Sequence, residues 1–145
     1  MNKINKIKSL IDNKLWTDDP NIINPYLYEQ RGTLKGNSSL LFKPINTSNV
    51  SEILKLCNKY KVPVIPQGGR TGLCGGTVPN NKGNEVLLST EKMNKITKIE
   101  EHNFSITAQS GCTLNSIKQA AKKVNRFFPI SLASEGSCTI GGNIA

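Results

Sequence analysis

The chain has 145 residues, the length of one ordinary domain, and its 37% apolar and 20% charged residues are typical of a folded globular protein. The net charge of +9 raises the question of nucleic-acid binding, but the lysines are spread along the whole chain and arginine occurs only three times. We therefore expect no nucleic-acid partner. No apolar run approaches the roughly 18 residues that a membrane-spanning helix needs, and the basic start lacks the apolar stretch of a secretory signal. We expect a cytoplasmic protein without an integral membrane segment.

Few side chains suit metal or redox chemistry. Cys57, Cys74, Cys112 and Cys138 are scattered singly, and no pair has the two-residue spacing of zinc or disulfide-exchange motifs. The sole histidine, His102, lies in a polar stretch between two expected strands, where a surface turn is the simplest interpretation. We expect reduced thiols, most of them buried, and no metal site.

The first part of the chain is predicted to be a helix followed by a connection. Isoleucine and leucine recur every three or four positions from Lys3 to Leu15, which predicts an amphipathic helix. Asp18-Asp19-Pro20 interrupts that pattern, and the residues from 20 to 37 are expected to be irregular. The boundaries are then 1–36 for the helix and connection, and 37–145 for the main domain.

A strand–helix–strand pattern follows. Residues 40–44 are predicted to be a short strand that ends at proline. A helix capped by Thr47 or Ser48 comes next, with apolar residues along one face, and residues 62–66 form another strand. This order predicts a crossover that joins two parallel strands of one sheet.

The second half of the chain is predicted to contain three further strands and one more helix. The strands are expected at 85–89, 95–99 and 105–109, and Thr113 is expected to cap the helix. The stretch 127–143 lacks a regular pattern and is predicted to be a long loop. The fold class is therefore α+β, with mixed strands and flanking helices.

A glycine-rich loop stands directly after the strand at 62–66. Five glycines fall within nine residues, from Gly68 to Gly76, and a run of such residues can turn successive backbone N–H groups into one anion-binding concavity. No glycine is followed by lysine and then serine or threonine, which excludes a P-loop NTPase. The Gly-x-Gly-x-x-Gly pattern of a Rossmann helix is absent from the loop. Two interpretations remain open from the residues alone: a loop that binds a diphosphate, and a plain surface loop.

Two separate motifs resemble one known family. Val64 to Pro79 is similar to the pyrophosphate loop of the FAD-linked oxidases, whose FAD-binding domain is of the vanillyl-alcohol-oxidase (PCMH) type. Phe128 to Leu132 and Glu135 to Ala145 resemble the second FAD-contacting segment of that family, in the right order. Within the family, the similarity is greatest to the branch with D-lactate dehydrogenase, glycolate oxidase and D-2-hydroxyglutarate dehydrogenase. The resemblance implies the first subdomain of a PCMH-type FAD-binding domain.

The resemblance also implies which residues bind the cofactor. The pyrophosphate would be held by Pro66, Gln67, Gly68, Gly69, Arg70, Thr71, Gly72, Leu73, Gly75 and Gly76. The rest of the dinucleotide would be lined by Gly111, Pro129, Leu132, Gly136, Ser137, Thr139, Ile140, Gly141, Gly142 and Asn143.

Arg70 departs from the family pattern. Close relatives often have asparagine at this position, and relatives that tether FAD covalently place a histidine about there. Since neither histidine nor cysteine occupies the position, the resemblance implies noncovalent FAD. A charge-assisted bond from Arg70 to phosphate and a solvated arginine both remain open.

For the intact protein, the resemblance implies an FAD-dependent dehydrogenase or oxidase. The flavin would take a hydride from a small D-2-hydroxy acid of the D-lactate, glycolate or D-2-hydroxyglutarate class, and a quinone or carrier protein would reoxidise it. The family's substrate domain and catalytic residues lie beyond Ala145, so we expect an N-terminal fragment that is inactive alone and whose catalytic residues are unknown. The alternatives are an enolpyruvyl reductase with the same fold and a noncatalytic basic nucleic-acid-binding module.

Overall fold

A four-stranded mixed sheet lies at the centre of the fold in the computed structural model, which describes residues 3–145. The strands are β1 (Trp16–Thr17), β2 (Leu41–Phe42), β3 (Val64–Gln67) and β4 (Val86–Ser89). They stand in the order β1-β2-β4-β3, with β2, β3 and β4 parallel and β1 antiparallel to β2. The C-terminal ends of three strands therefore meet at one edge, where ligands commonly bind in sheets of this kind.

A hairpin and five α-helices complete the described part of the chain. The hairpin consists of the antiparallel strands β5 (Ile96–Glu100) and β6 (Ser105–Ala108). The helices are α1 (Lys3–Lys8), α2 (Pro20–Ile23), α3 (Thr47–Tyr60), α4 (Leu114–Lys123) and α5 (Ile140–Ile144). The predicted α+β class with mixed strands is confirmed.

The predicted crossover is confirmed, although its two strands are not neighbours. Helix α3 connects β2 to β3, and β4 inserts between them as the central parallel strand. The predicted cap was wrong: Asn46, not Thr47 or Ser48, accepts the N–H of Asn49 through its side chain at 2.9 Å. Asn46 has the extended backbone of an N-cap, so the two hydroxyl residues after it already belong to the first turn.

One core lies between the sheet and helices α1 and α3. Phe42 from β2, Ile53 from α3 and Val86 from β4 are fully buried in it. Ile7 and Leu15 from the N-terminal segment belong to the same cluster. The first 36 residues therefore help to cover the sheet that carries the glycine-rich loop.

The helix predicted from Lys3 to Leu15 is wrong in its second half. Helix α1 ends at Lys8, and the chain continues to a 3-10 turn at Asn13–Leu15. The Asp12 carboxylate accepts the N–H of Lys14 at 2.9 Å, a local bond that competes with helical hydrogen bonding. The apolar spacing predicted the burial of Ile4, Ile7, Ile11 and Leu15, but Leu10 is exposed and the chain is not α-helical beyond Lys8 in this stretch.

Two stretches predicted to be irregular contain short helices. Helix α2 starts at Pro20, with the Asp19 side chain accepting the N–H of Asn21, so the apparent breaker is a helix start. Helix α5 follows Thr139 within the predicted terminal loop. One turn is too short to show a helical period in the sequence, and tertiary contacts stabilise such turns.

The described residues also bear on the thiols, metal ligands and membrane helices. All four cysteines are free; Cys57, Cys112 and Cys138 are buried and Cys74 is exposed. Burial raises the pKa of Cys57 to about 11 and also raises the pKa of Cys112, as expected for thiols that act in packing. Within residues 3–145, no group of three or more His, Cys, Asp and Glu side chains is arranged to hold a metal ion. None of the helices there has the length and apolarity needed to cross a bilayer.

Candidate functional site

The glycine-rich loop leaves the C-terminal end of β3 with its backbone donors unused. Across residues 3–145, no hydrogen bond has a backbone N–H from Gly68 to Thr77 as its donor. None of these residues is buried, so their N–H groups are open to solvent and can also receive an external acceptor. A curved run of amides is suited to an anion.

A buried glutamine ties the two ends of this loop together. Gln67 is the last residue of β3 and is 2% exposed. Its Nε2 donates to the carbonyl of Tyr26 at 2.9 Å and to the carbonyl of Thr77 at 2.6 Å. The loop is therefore closed at its base by one side chain, while its backbone amides remain available.

An arginine latch holds the middle of the loop. Arg31 donates from Nη2 to the carbonyl of Leu73 at 2.8 Å. The buried carboxylate of Glu29 accepts the N–H groups of Arg31 and Thr33 at 2.9 Å and the Thr33 hydroxyl at 2.6 Å. The backbone N–H of Arg31, then the Thr33 hydroxyl, lower the pKa of Glu29 to about 2. Glu29 therefore stays ionised and fixes the turn from which Arg31 reaches the loop.

The second predicted motif meets the start of the glycine loop. A Cβ placed on Gly69 would lie 1.9 Å from the carbonyl oxygen of Ser137, and one on Gly68 would lie 2.3 Å from Thr139 Oγ1. Any larger residue would separate the two segments, so glycine is needed here for close approach rather than for a special backbone angle. Segments almost 70 positions apart in the sequence thus form one surface.

The start of helix α4 holds the terminal segment in place. The backbone N–H of Leu114 donates to the carbonyl oxygen of Cys138 at 3.1 Å, and that of Ile140 donates to the carbonyl oxygen of Cys112 at 2.8 Å. A Cβ on Gly111 would lie 2.0 Å from the carbonyl oxygen of Thr90, just after β4. The glycine loop, the β4 end, the α4 start and the terminal segment therefore converge.

An open cleft of about 580 Å³ lies where these segments meet. Thr139 Oγ1 at its wall is buried and makes no hydrogen bond with any described residue, although Thr139 stands at the N-cap of α5. A buried hydroxyl without a partner is costly unless a ligand supplies one. The cleft is lined by Gly68, Gly69, Arg70, Glu91, Asn94, Gly111, Cys112, Thr113, Ser116, Gly136, Ser137 and Thr139.

Some of the residues expected at the cofactor share this cleft. Those that line it are Gly68, Gly69, Arg70, Gly111, Gly136, Ser137 and Thr139. Gln67 does not line the cleft but holds the base of the glycine loop through its hydrogen bond to the carbonyl of Tyr26. Gly141 packs against Ser110. The two motifs singled out in the sequence therefore form one site.

The other expected residues do not line it. Pro66 faces an apolar groove beside α3, and Ile140 faces a second apolar groove beside Phe104. Pro129 and Leu132 lie exposed in the terminal segment, and Gly142 and Asn143 lie in α5. The remaining expected residues belong to the glycine loop beyond Arg70, outside the lining: Thr71, Gly72, Leu73, Gly75 and Gly76.

Sequence reasoning missed five residues of the lining. Glu91 and Asn94 follow the C-terminal end of β4, and Cys112, Thr113 and Ser116 surround the start of α4. The available signal was their position after a buried strand and at a helix start, where polar side chains commonly face ligands. Their neighbours in the cleft come from distant parts of the chain, which spacing alone does not show.

With this geometry established, comparison with known proteins gives the family. Residues 38–145 match the sequence profile described as FAD binding domain. The chain belongs to this family. The resemblance to the PCMH-type domains of FAD-linked oxidases is thereby confirmed, and the cleft lies within the matched residues.

Two relatives illustrate the similarity in sequence. Over 127 residues the chain is 36% identical to the mitochondrial D-2-hydroxyglutarate dehydrogenase of Danio rerio. This alignment covers 88% of this chain and 24% of that protein. Over 111 residues it is 40% identical to the D-lactate dehydrogenase of Anaerostipes hadrus. This alignment covers 77% of this chain and 23% of that protein. The chain thus spans about a quarter of the length of these relatives.

Two solved structures show the same fold. The chain matches an alkyldihydroxyacetonephosphate synthase with a TM-score of 0.83 and 21% identity, over 97% of this chain and 28% of that one. It matches a p-cresol methylhydroxylase with substrate bound with a TM-score of 0.77 and 22% identity, over 98% of this chain and 28% of that one. At these identities the likeness concerns the fold.

The residues of the cleft fit the diphosphate of FAD. The loop offers unpaired backbone N–H groups, Thr139 offers an unpaired hydroxyl, and Arg70 offers a positive charge. Gly68 and Gly69 keep side chains out of the space between the two motifs. Donors and one cation around an open cleft are what a dinucleotide phosphate requires.

We predict that Glu29 stabilises the latched loop in a pH-dependent way. Its folded-state pKa of about 2 lies below the ordinary 4.5, so its contribution to stability is fully present above pH 4.5. That contribution is lost as the pH falls from 4.5 towards 2, because the unfolded chain takes up the proton first.

Glu29→Gln should therefore lower the urea midpoint at pH 7, and the difference from the unaltered chain should shrink between pH 5 and pH 2. Glu52→Gln, at an exposed position on α3, is the matched control and should leave the midpoint nearly unchanged. A pH-independent effect of Glu29→Gln would contradict the assignment.

Proposed function

We propose that this chain binds FAD with its diphosphate in the cleft between the glycine loop and the terminal segment. The single observation that carries the proposal is the run of backbone N–H groups from Gly68 to Thr77 that donate to no described residue. The first three of these residues, Gly68, Gly69 and Arg70, line a cleft whose wall also includes Thr139 with its unpaired hydroxyl. Membership in the FAD-binding family supports the choice of this dinucleotide.

The described residues would bind and orient the cofactor. The loop amides and Thr139 would donate to phosphate oxygens, while Gln67 and Arg31 would keep the loop in the conformation that receives them. FAD, once bound, supplies an acceptor for a hydride, and the protein positions it. The cleft side chains are suited to binding rather than to proton transfer.

We propose small D-2-hydroxy acids as the substrates of the activity that this FAD serves. The proposal comes from the names of two relatives, a D-2-hydroxyglutarate dehydrogenase and a D-lactate dehydrogenase. A quinone or a carrier protein would accept the electrons. A cytoplasmic location stays a prediction, and the name of the Danio rerio relative assigns that protein to mitochondria.

The test of FAD binding compares two exposed loop positions. Gly136 lines the cleft, and a Cβ there would meet nothing within 4 Å, so Gly136→Val should fold as the unaltered chain does. If the diphosphate lies in the cleft, the added side chain should weaken FAD binding at least about tenfold, the value of one hydrogen bond to a charged group.

The measurement is quenching of flavin fluorescence on titration, with circular dichroism to check the fold. Asn103→Val adds the same side chain to the exposed turn between β5 and β6 and should bind FAD normally. Unchanged affinity in Gly136→Val would refute the placement of the diphosphate in the cleft.

We predict that the flavin is held noncovalently, because Arg70 stands where covalent relatives place a histidine. After loading with FAD and precipitation with acid, the flavin should remain in the supernatant. Yellow colour in the washed pellet, with flavin fluorescence in a denaturing gel, would show a covalent bond.

We also predict that residues 1–145 with added FAD oxidise D-lactate, glycolate and D-2-hydroxyglutarate no faster than free FAD does. The sole histidine, His102, lies in the exposed hairpin turn, and we propose that the groups that bind the acid lie outside these residues. Reduction of an artificial electron acceptor measures the rate. Turnover clearly above the free-FAD control would place the acid-binding groups within this chain.

A further inference from the structure

Arg70 is stacked on an aromatic ring at the edge of the cleft. It is the only cationic residue of the described lining, and its guanidinium lies over the ring of Tyr26, 4.1 Å from the ring centroid. The Arg70 side chain makes no hydrogen bond to any residue from 3 to 145. All of its N–H donors are therefore available while its position is restrained by the ring.

The backbone at this position does not favour arginine. Arg70 has a φ of 54°, in the left-handed region that residues with a Cβ rarely adopt and that asparagine tolerates better. A residue type that the local backbone disfavours points to a role for its side chain. The side chain at this position therefore has to be explained by what it contacts.

Tyr26 is itself held by a charged pair. It is 7% exposed, and its hydroxyl donates to Glu91 Oε2 at 2.6 Å. Lys43 Nζ lies 2.8 Å from Glu91 Oε1 and 5.1 Å from the centroid of the Tyr26 ring. Each carboxylate oxygen of Glu91 thus has another partner, and Arg70 donates no hydrogen bond to Glu91.

Glu91 remains ionised in this arrangement. Its partial burial raises its pKa, but the hydrogen bonds from Lys43 and Tyr26 outweigh that effect and hold the pKa below its ordinary value. Two cations, Arg70 and Lys43, then face one carboxylate, and the cluster carries one net positive charge at the wall of the cleft. An excess positive charge beside the unpaired amides of the glycine loop suits a phosphate group.

We propose that Tyr26 is a positioning residue that holds the Arg70 guanidinium as a preformed donor for the diphosphate of FAD. This inference rests on the proposed function and deepens it, because it assigns a role to a side chain outside both glycine motifs. The planar guanidinium donates two parallel bonds to phosphate oxygens, and the ring beneath it reduces the freedom that the side chain loses on binding.

The experiment compares FAD with riboflavin, which has the same ring system and no phosphate. Affinities are measured by flavin fluorescence for the unaltered chain and for the variants Arg70→Asn, Arg70→Lys, Tyr26→Leu and Tyr26→Phe. Arg126→Asn is the matched control, because Arg126 also stacks on an aromatic ring, that of Phe104 at 4.5 Å, away from the cleft.

Arg70→Asn should weaken FAD binding roughly ten- to a hundredfold, as expected for a charged hydrogen bond, and leave riboflavin binding unchanged. The loss should shrink in high salt, which screens the contact. The melting temperature should stay the same or rise, because asparagine suits the left-handed backbone. A purely structural role would instead lower the melting temperature and affect both flavins alike.

Tyr26→Leu and Arg70→Lys should each reproduce most of that loss, and Tyr26→Phe, which keeps the ring, should recover most of the affinity. Arg70→Lys decides the role of the ring if Tyr26→Leu does not fold, since it keeps the charge without the planar stack. If the Arg70→Lys variant binds FAD as tightly as the unaltered chain, the proposed role of Tyr26 is overturned.

Normal FAD affinity in Arg70→Asn, equal to that of Arg126→Asn, would overturn the whole inference and leave the proposed function standing. Failure of the unaltered chain to bind FAD would instead refute the proposed function, and the inference with it. The two failures are therefore distinguishable.

Discussion

The site depends on one close backbone contact, between Gly69 after β3 and Ser137 in the terminal segment. A Cβ on Gly69 would stand 1.9 Å from the Ser137 carbonyl oxygen, so the two segments can meet only where no side chain intervenes. Gly68 beside Thr139, and Gly111 beside Thr90, repeat this geometry at neighbouring points of the cleft. The main contribution of these glycines is therefore to let the segments approach each other closely.

If the unpaired loop amides bind the cofactor as proposed, its binding should stabilise the fold. Gln67 and the Glu29–Arg31 latch fix the base and the middle of the loop through carbonyl oxygens, so the N–H side of the backbone is left open. A ligand that binds only the folded chain stabilises it by an amount that grows with the logarithm of the ratio of ligand concentration to Kd. The latch limits how much ordering the ligand has to induce, because the loop conformation is already determined by side chains outside it.

The sequence predicted the local features of this arrangement better than the distant ones. The glycine density from Gly68 to Gly76, the crossover and the Thr113 cap are encoded by neighbouring residues, and motif or propensity rules detect them. The engagement of Glu91 with Tyr26 joins positions 65 residues apart, and no local rule relates them. The helix expected from Lys3 to Leu15 failed for a similar reason, since apolar spacing reports the buried face and not the hydrogen bonds that shape it.

The chemistry of the lining explains what this part of the protein contributes. Glycine, serine, threonine and one arginine offer donors and space, and Glu91 is already committed to Lys43 and Tyr26. A carboxylate held in this way, with its pKa lowered, is a poor proton acceptor at neutral pH, because general bases are efficient when their pKa lies near the working pH. On the proposed function, the cleft binds the cofactor, and its selectivity comes from geometry and charge. Arg70 contributes the positive charge of the lining from a backbone conformation that would suit asparagine better. If Arg70 binds phosphate as proposed, that binding is gained against the local conformational preference.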